Sequence, residues 1–179
     1  MSVRTTLVTT RAQLEEAWAV RFAVFVDEQR VPAELEVDDL DEAPTTSHVL
    51  ALDGDAVVGT GRLLLDAPGH VHLGRLAVLR EHRGRGVGAL LVRALEDLAL
   101  ERHAVGAPGA VEVVLSAQEA AMGFYRALGY APVSGERYLD AGIWHQDMAR
   151  TLTAGSPSGR HAERPGSPSA EAGDVGGPT

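Results

Sequence analysis

Apolar positions along the chain switch between a helical and a strand period, and the switches mark the elements. Val3–Val8 reads as a short strand. Thr9 or Thr10 then offers a hydroxyl to the first free N–H groups of a helix. That helix sets Leu14, Ala17, Trp18, Phe22 and Phe25 on one stripe. Pro32 interrupts the pattern, and an acidic loop or short helix follows. His48–Leu52 and Ala56–Leu65 are strand-like runs joined by a hairpin turn at Asp53-Gly54. Val71–Leu79 is a further strand after the turn Ala67-Pro68-Gly69. A strong helix starts just after the glycines at 84–88, with Val87, Leu91, Leu95 and Leu98 on its stripe. Ala107-Pro108-Gly109 is a loop, and Val111–Leu115 is a continuous apolar run of the kind that forms a buried strand. Gln118–Leu128 reads as a short helix closed by Gly129. Tyr130–Val133 and Ile143–Arg150 complete the set as strands. The order β-α-(α)-β-β-β-α-β-α-β-β describes an α/β domain with a mixed sheet over residues 1–150.

Residues 151–179 change the picture. They hold six Gly, four Pro and four Ser, with no aromatic residue, and read as a disordered tail. Composition then excludes several chemistries. The chain has no cysteine, which removes disulfides, thiolate-bound metals and a thiol nucleophile. All sixteen basic residues are arginine, so a Walker A phosphate loop and Schiff-base catalysis are excluded as well. A net charge of −9 argues against a nucleic-acid partner. No apolar run is long enough to cross a membrane, and no signal-peptide pattern opens the chain, so a cytoplasmic location is expected. Eight acids against Arg30 alone fall within residues 27–42. They either concentrate a cationic substrate or form a solvated loop. Arg21 lies on the apolar stripe of the first helix, where it either pairs with Asp38 or Asp41 or reaches out to solvent. His70-x-His72 puts two imidazoles on one face of a strand, but no further ligand stands near, and no metal is expected.

The most specific feature is Arg83-Gly84-Arg85-Gly86-Val87-Gly88 between a strand and a helix. Glycines there let backbone N–H groups approach an anion at a helix N-terminus, and the two arginines add charge. A pyrophosphate is the expected guest. A dinucleotide fingerprint fits formally, yet Arg80-Glu81-His82-Arg83 separates the strand from the first glycine.

Leu76-Ala77-Val78 followed by Arg83-x-x-Gly86-x-Gly88 resembles the acetyl-CoA signature of the GNAT N-acetyltransferase superfamily. Gln118-x-x-Ala121-x-x-Phe124-Tyr125-x-x-x-Gly129-Tyr130 is similar to its later motif, with Gln118 where Asn is usual. Arg21-Phe22-x-x-Phe25-Val26-x-Glu28-Gln29, Asp38, Asp41, His48 and Gly142-Ile143-x-His145-x-x-Met148 resemble the ElaA-like branch. The resemblance covers about residues 1–150 and implies a GNAT-like, mostly antiparallel sheet with flanking helices. It implies acetyl-CoA as cosubstrate, with Leu76, Ala77 and Val78 along the pantetheine and the backbone of Arg83, Gly84, Arg85, Gly86, Val87 and Gly88 on the pyrophosphate. It assigns Gln118 and Phe124 to the cofactor side and Tyr125 as the proton donor to the leaving thiolate, unless Tyr125 merely packs. Many members carry a glutamate base where Gly74-Arg75 stand here, so Glu28 and His145 are the candidates, each alternatively a structural side chain. The acceptor is a small-molecule or peptide amine, and a homodimer is common among members. Arg21, Phe25 and Glu36/Asp38/Asp41 are also similar to the acyl-homoserine-lactone synthases, although those usually lack the glycine turn. The remaining alternative is a module that binds acetyl-CoA without turnover.

Overall fold

The computed structural model describes residues 2–155. The expected tail from residue 156 onward lies outside the described residues. The strands are β1 (Val3–Leu7), β2 (Ser47–Asp53), β3 (Ala56–Ala67), β4 (His70–Val78), β5 (Ala110–Gln118), β6 (Ala131–Asp140) and β7 (Ile143–Thr153). The helices are α1 (Arg11–Arg21), α2 (Val87–His103) and α3 (Met122–Ala127). One seven-stranded sheet has the order β1-β2-β3-β4-β5-β7-β6. Every neighbouring pair is antiparallel except β4 with β5.

Alternation along the strands sorts their side chains to two faces. Val71, Leu73, Val111, Val113 and Leu115 point to one face and pack against Val87, Leu91, Leu95 and Ala99 of α2. Gly129 and Tyr130 bring the chain back to this core, where the buried Tyr130 hydroxyl donates to Glu96 at 3.1 Å. The opposite face is covered by α1 and the turn that follows it, through Val20 and Val24 against Ala77.

Several element boundaries differ from the sequence expectation. After Arg21 the helix widens into a π-helical turn over Phe22–Glu28, with Gln29 N–H bonded to the Val24 carbonyl. The buried stripe runs through Leu14, Ala17, Arg21 and Val24 at ordinary helical spacing, so Trp18, Phe22 and Phe25 lie at its edge and are only half-buried. The helix expected over Gln118–Leu128 is shorter, because β5 stays extended through Gln118 and a 3₁₀ turn spans Glu119–Ala121 before α3. Both final strands are longer than expected. β6 runs to Asp140, and β7 runs three residues beyond Arg150, because Leu152 pairs with Val111 and is buried.

Candidate active site

β4 and β5 pair over three residues only, from His70 opposite Glu112 to His72 opposite Val114. Beyond that point they diverge. β4 continues against β3 as far as Val78, and β5 continues against β7 as far as Gln118. The result is a V whose inner edge on β4, Leu73 to Val78, has no β5 partner. A buried backbone edge needs hydrogen bonds from somewhere, so a free edge lining a cleft is a docking strip for an extended polar ligand. A β-bulge sits on this strip. Thr60 opposes Ala77 while Arg62 opposes Gly74, and the extra residue places Arg75 at φ +49°.

The cleft at the V has a volume of about 1240 Å³ and reaches the N-terminus of α2. Gly86 caps that helix at φ +80°, a conformation a side chain would strain. It supplies no side-chain cap, and the first helical bond runs from Leu90 N–H to the Gly86 carbonyl. The N–H groups of Val87, Gly88 and Ala89 are therefore left for an anion, at the positive end of the helix dipole. A Cβ at Gly88 would stand 3.2 Å from Phe124 Cζ, so only glycine lets that ring lie against the helix start.

The cofactor-side residues expected from sequence line this cleft, with one exception. Arg85 turns away to Asp53 at 3.3 Å and faces a neighbouring groove. Arg83 lines the cleft, yet its guanidinium is engaged within the protein. Nε donates to the Val78 carbonyl at 2.9 Å, and both terminal nitrogens bind Glu28 at 3.0 Å. The positive charge expected from the arginines is thus partly neutralised, and the backbone N–H groups are the free donors.

Of the three catalytic candidates, Tyr125 and His145 line the cleft and Glu28 does not. Tyr125 is buried, edge-on to Phe124 and Tyr130. Burial alone pushes its phenol up to about 12. His145 pairs with Gln118 across β5 and β7, stacks on Tyr138, and donates from Nδ1 to the Ile143 carbonyl at 2.8 Å. Its Nε2 is then an acceptor. Glu28 is held below the usual carboxylate range by its hydrogen bonds to Arg83, with Arg80 adding to the effect. Such a carboxylate is a weak base. Gln118 exchanges amide hydrogen bonds with Gln29, the shorter at 2.7 Å, and so ties the π-turn to the end of β5.

The acidic segment is mostly spent on structure. Arg21, fully buried, binds Glu36 at 2.6 Å and Asp41 at 2.7 Å, and also the Glu36 carbonyl. Arg62 binds Asp38 and Asp41, and Arg75 approaches Glu36 and Asp38 at 3.5 Å. Arg21 therefore pairs inside and does not reach solvent. Burial works against ionisation of Asp41, but the Arg21 and Arg62 guanidiniums outweigh it and hold the carboxyl low. Burial dominates at Glu36 and pushes its carboxyl up. Sequence reasoning missed Arg62 and Arg75 in this network. Their signal was present, since Arg62 interrupts an apolar strand and Arg75 stands within the strand that precedes the glycine turn.

Comparison with known proteins agrees with this geometry. The family model described as the acetyltransferase (GNAT) family matches residues 12–130. The Bacillus subtilis protein described as uncharacterized N-acetyltransferase YjcF is 41% identical over 138 residues, covering 77% of this chain and 92% of that protein. Escherichia coli ElaA superposes with a TM-score of 0.71 at 29% identity, covering 83% of this chain and 99% of ElaA. A CoA-dependent acyl-homoserine lactone synthase, BjaI, superposes with a TM-score of 0.66 at 18% identity, covering 88% and 86%, a likeness of fold alone. With a family model spanning most of the described domain and a relative matched over almost its whole length, the chain belongs to the GNAT acetyltransferase family and is an N-acetyltransferase.

Proposed function

We propose that the protein transfers the acetyl group of acetyl-CoA to an amine by direct attack on the thioester. The observation that supports this reading most is the V between β4 and β5, with a free backbone edge that ends at the uncapped start of α2. The edge at Leu76, Ala77 and Val78 has the form needed to pair with the pantetheine amides. The N–H groups from Gly84 to Gly88 suit the pyrophosphate. A free β4 N–H aimed at the thioester oxygen would stabilise charge as it develops there.

Tyr125 stays protonated throughout the physiological range because burial lifts its phenol to about 12. Tyr125 therefore acts as a hydrogen-bond donor that stabilises the departing thiolate. Glu28 acts on the cofactor side by fixing Arg83, which in turn holds the Val78 carbonyl. The acceptor approaches from the other side of the V, past Leu35, Leu64 and Ile143, which give the cleft an apolar wall.

The test is thiol release from acetyl-CoA with a panel of primary amines, alongside thermal unfolding with acetyl-CoA. Wild type should release thiol only when an amine is present. Tyr125→Phe should lose about 10²- to 10³-fold in kcat while its acetyl-CoA-induced unfolding shift persists. Binding without thiol release in either form would instead identify a non-catalytic module.

A further inference from the structure

His72 stands at the apex of the V, the last residue through which β4 pairs with β5. Val71 and Leu73 are buried on the α2 side, so His72 and Gly74 share the opposite face. Gly74 leaves the space beside the imidazole open, since a Cβ there would meet only His72 Cδ2, at 3.9 Å. Arg75 does not fill that space, because its side chain is drawn off to Glu36 and Asp38. The ring of His72 thus borders an open pocket next to the free β4 edge, in the cleft that also holds Tyr125 and His145.

The charged groups around His72 are mostly committed. Arg62 on β3 is held by Asp38 and Asp41, and Glu36 by Arg21 and Arg75. Glu112 on β5 pairs with His70. On β7, His145 spends Nδ1 on the Ile143 carbonyl. Asp66 on β3 approaches His72 Nδ1 at 3.9 Å. Asp66 and Asp140, at the end of β6, are cleft carboxylates with no arginine partner among the described residues.

We propose that His72 is the base on the acceptor side and that Asp66 orients its ring. This rests on the acetyl-transfer reading above. The acceptor ammonium, drawn in by the free carboxylates, gives one proton to Nε2 of His72. The freed lone pair forms the N–C bond at the thioester carbonyl. The C–S bond breaks and its electron pair leaves on sulfur, toward the Tyr125 hydroxyl. The second amine proton ends on sulfur, and the imidazolium returns the first to water. Imidazole suits this task because its ordinary pKa lies near physiological pH. His72 is a catalytic residue in this account, and Asp66 a positioning residue.

The experiment is the pH dependence of thiol release with phenethylamine, putrescine and glycinamide as acceptors. Wild type should show an acid limb in kcat/KM for the amine. His72→Gln should lose about 10²- to 10⁴-fold in kcat near pH 7 and lose that limb, with KM for acetyl-CoA within about twofold. His145→Gln should keep the limb, and Asp66→Asn should lower kcat several-fold with KM for acetyl-CoA unchanged. His72→Asn serves as a second variant if the glutamine form does not fold. Retention of the limb in the His72 variants, or its loss with His145→Gln, overturns the assignment while leaving acetyl transfer intact. Absence of amine-dependent thiol release from wild type overturns the assignment together with the reading on which it rests.

Discussion

Arg21 is the position whose removal should cost the domain most for one side chain. It is fully buried and donates to Glu36, to the Glu36 carbonyl and to Asp41. Arg21→Met keeps much of the length and apolar stem but deletes the charge. Two carboxylates at most 3% exposed then lose a partner, although Arg62 and Arg75 still reach them. Removing one member of a buried pair costs about 3–5 kcal/mol, because the charge left behind stays desolvated. A domain of this size loses about 2–4 °C of melting temperature per kcal/mol, so the expected drop is about 6–20 °C. The control is Arg4→Met. Arg4 and Asp55 are exposed and 3.9 Å apart, and the loss should stay within about 3 °C. The assay is calorimetric or fluorescence-detected melting of both variants at one pH. A drop for Arg21→Met no larger than the control would refute the view that this network holds the acidic segment against β3 and β4.

Further outcomes follow from the same geometry. Asp41 is held low by two guanidiniums, so its contribution is complete at neutral pH and is lost as pH falls from about 4 through its folded value. Asp41→Asn should therefore flatten the acid limb of stability in urea melts below about pH 4, whereas Glu36, raised by burial, works in the opposite sense. Glu28→Gln should raise KM for acetyl-CoA several-fold with kcat little changed, because it loosens Arg83 and hence the Val78 carbonyl; a collapse of kcat alone would instead make Glu28 a base. Gly86→Ala forces a side chain to φ +80° and should cost about 1–2 kcal/mol in melts and weaken acetyl-CoA binding in calorimetry.

The glycine turn was legible because its signal is local. Glycine at 86 and 88 is required by the backbone angle and by the approach of Phe124, and both requirements act within one strand-turn-helix unit. The widened turn at Phe22–Glu28 was not legible, since a period count assumes a uniform helix. The cleft residues Tyr125 and His145 were visible as chemistry in the sequence, whereas the engagement of Glu28 by Arg83, 55 positions away, depends on how β4 and the π-turn are brought together. His72 was visible only as half of a possible metal pair. Its place at the parting of β4 and β5 depends on strand register, which alternation along a single strand cannot reveal.

The central claim is that acetyl-CoA lies along the free edge of β4 and at the start of α2. Amide hydrogen exchange, measured with and without saturating acetyl-CoA, tests this most directly. Bound acetyl-CoA should slow exchange in residues 76–78 and 83–89, with little change in β1 and β2. Unchanged exchange in those two segments, or protection centred elsewhere in the sheet, would contradict it.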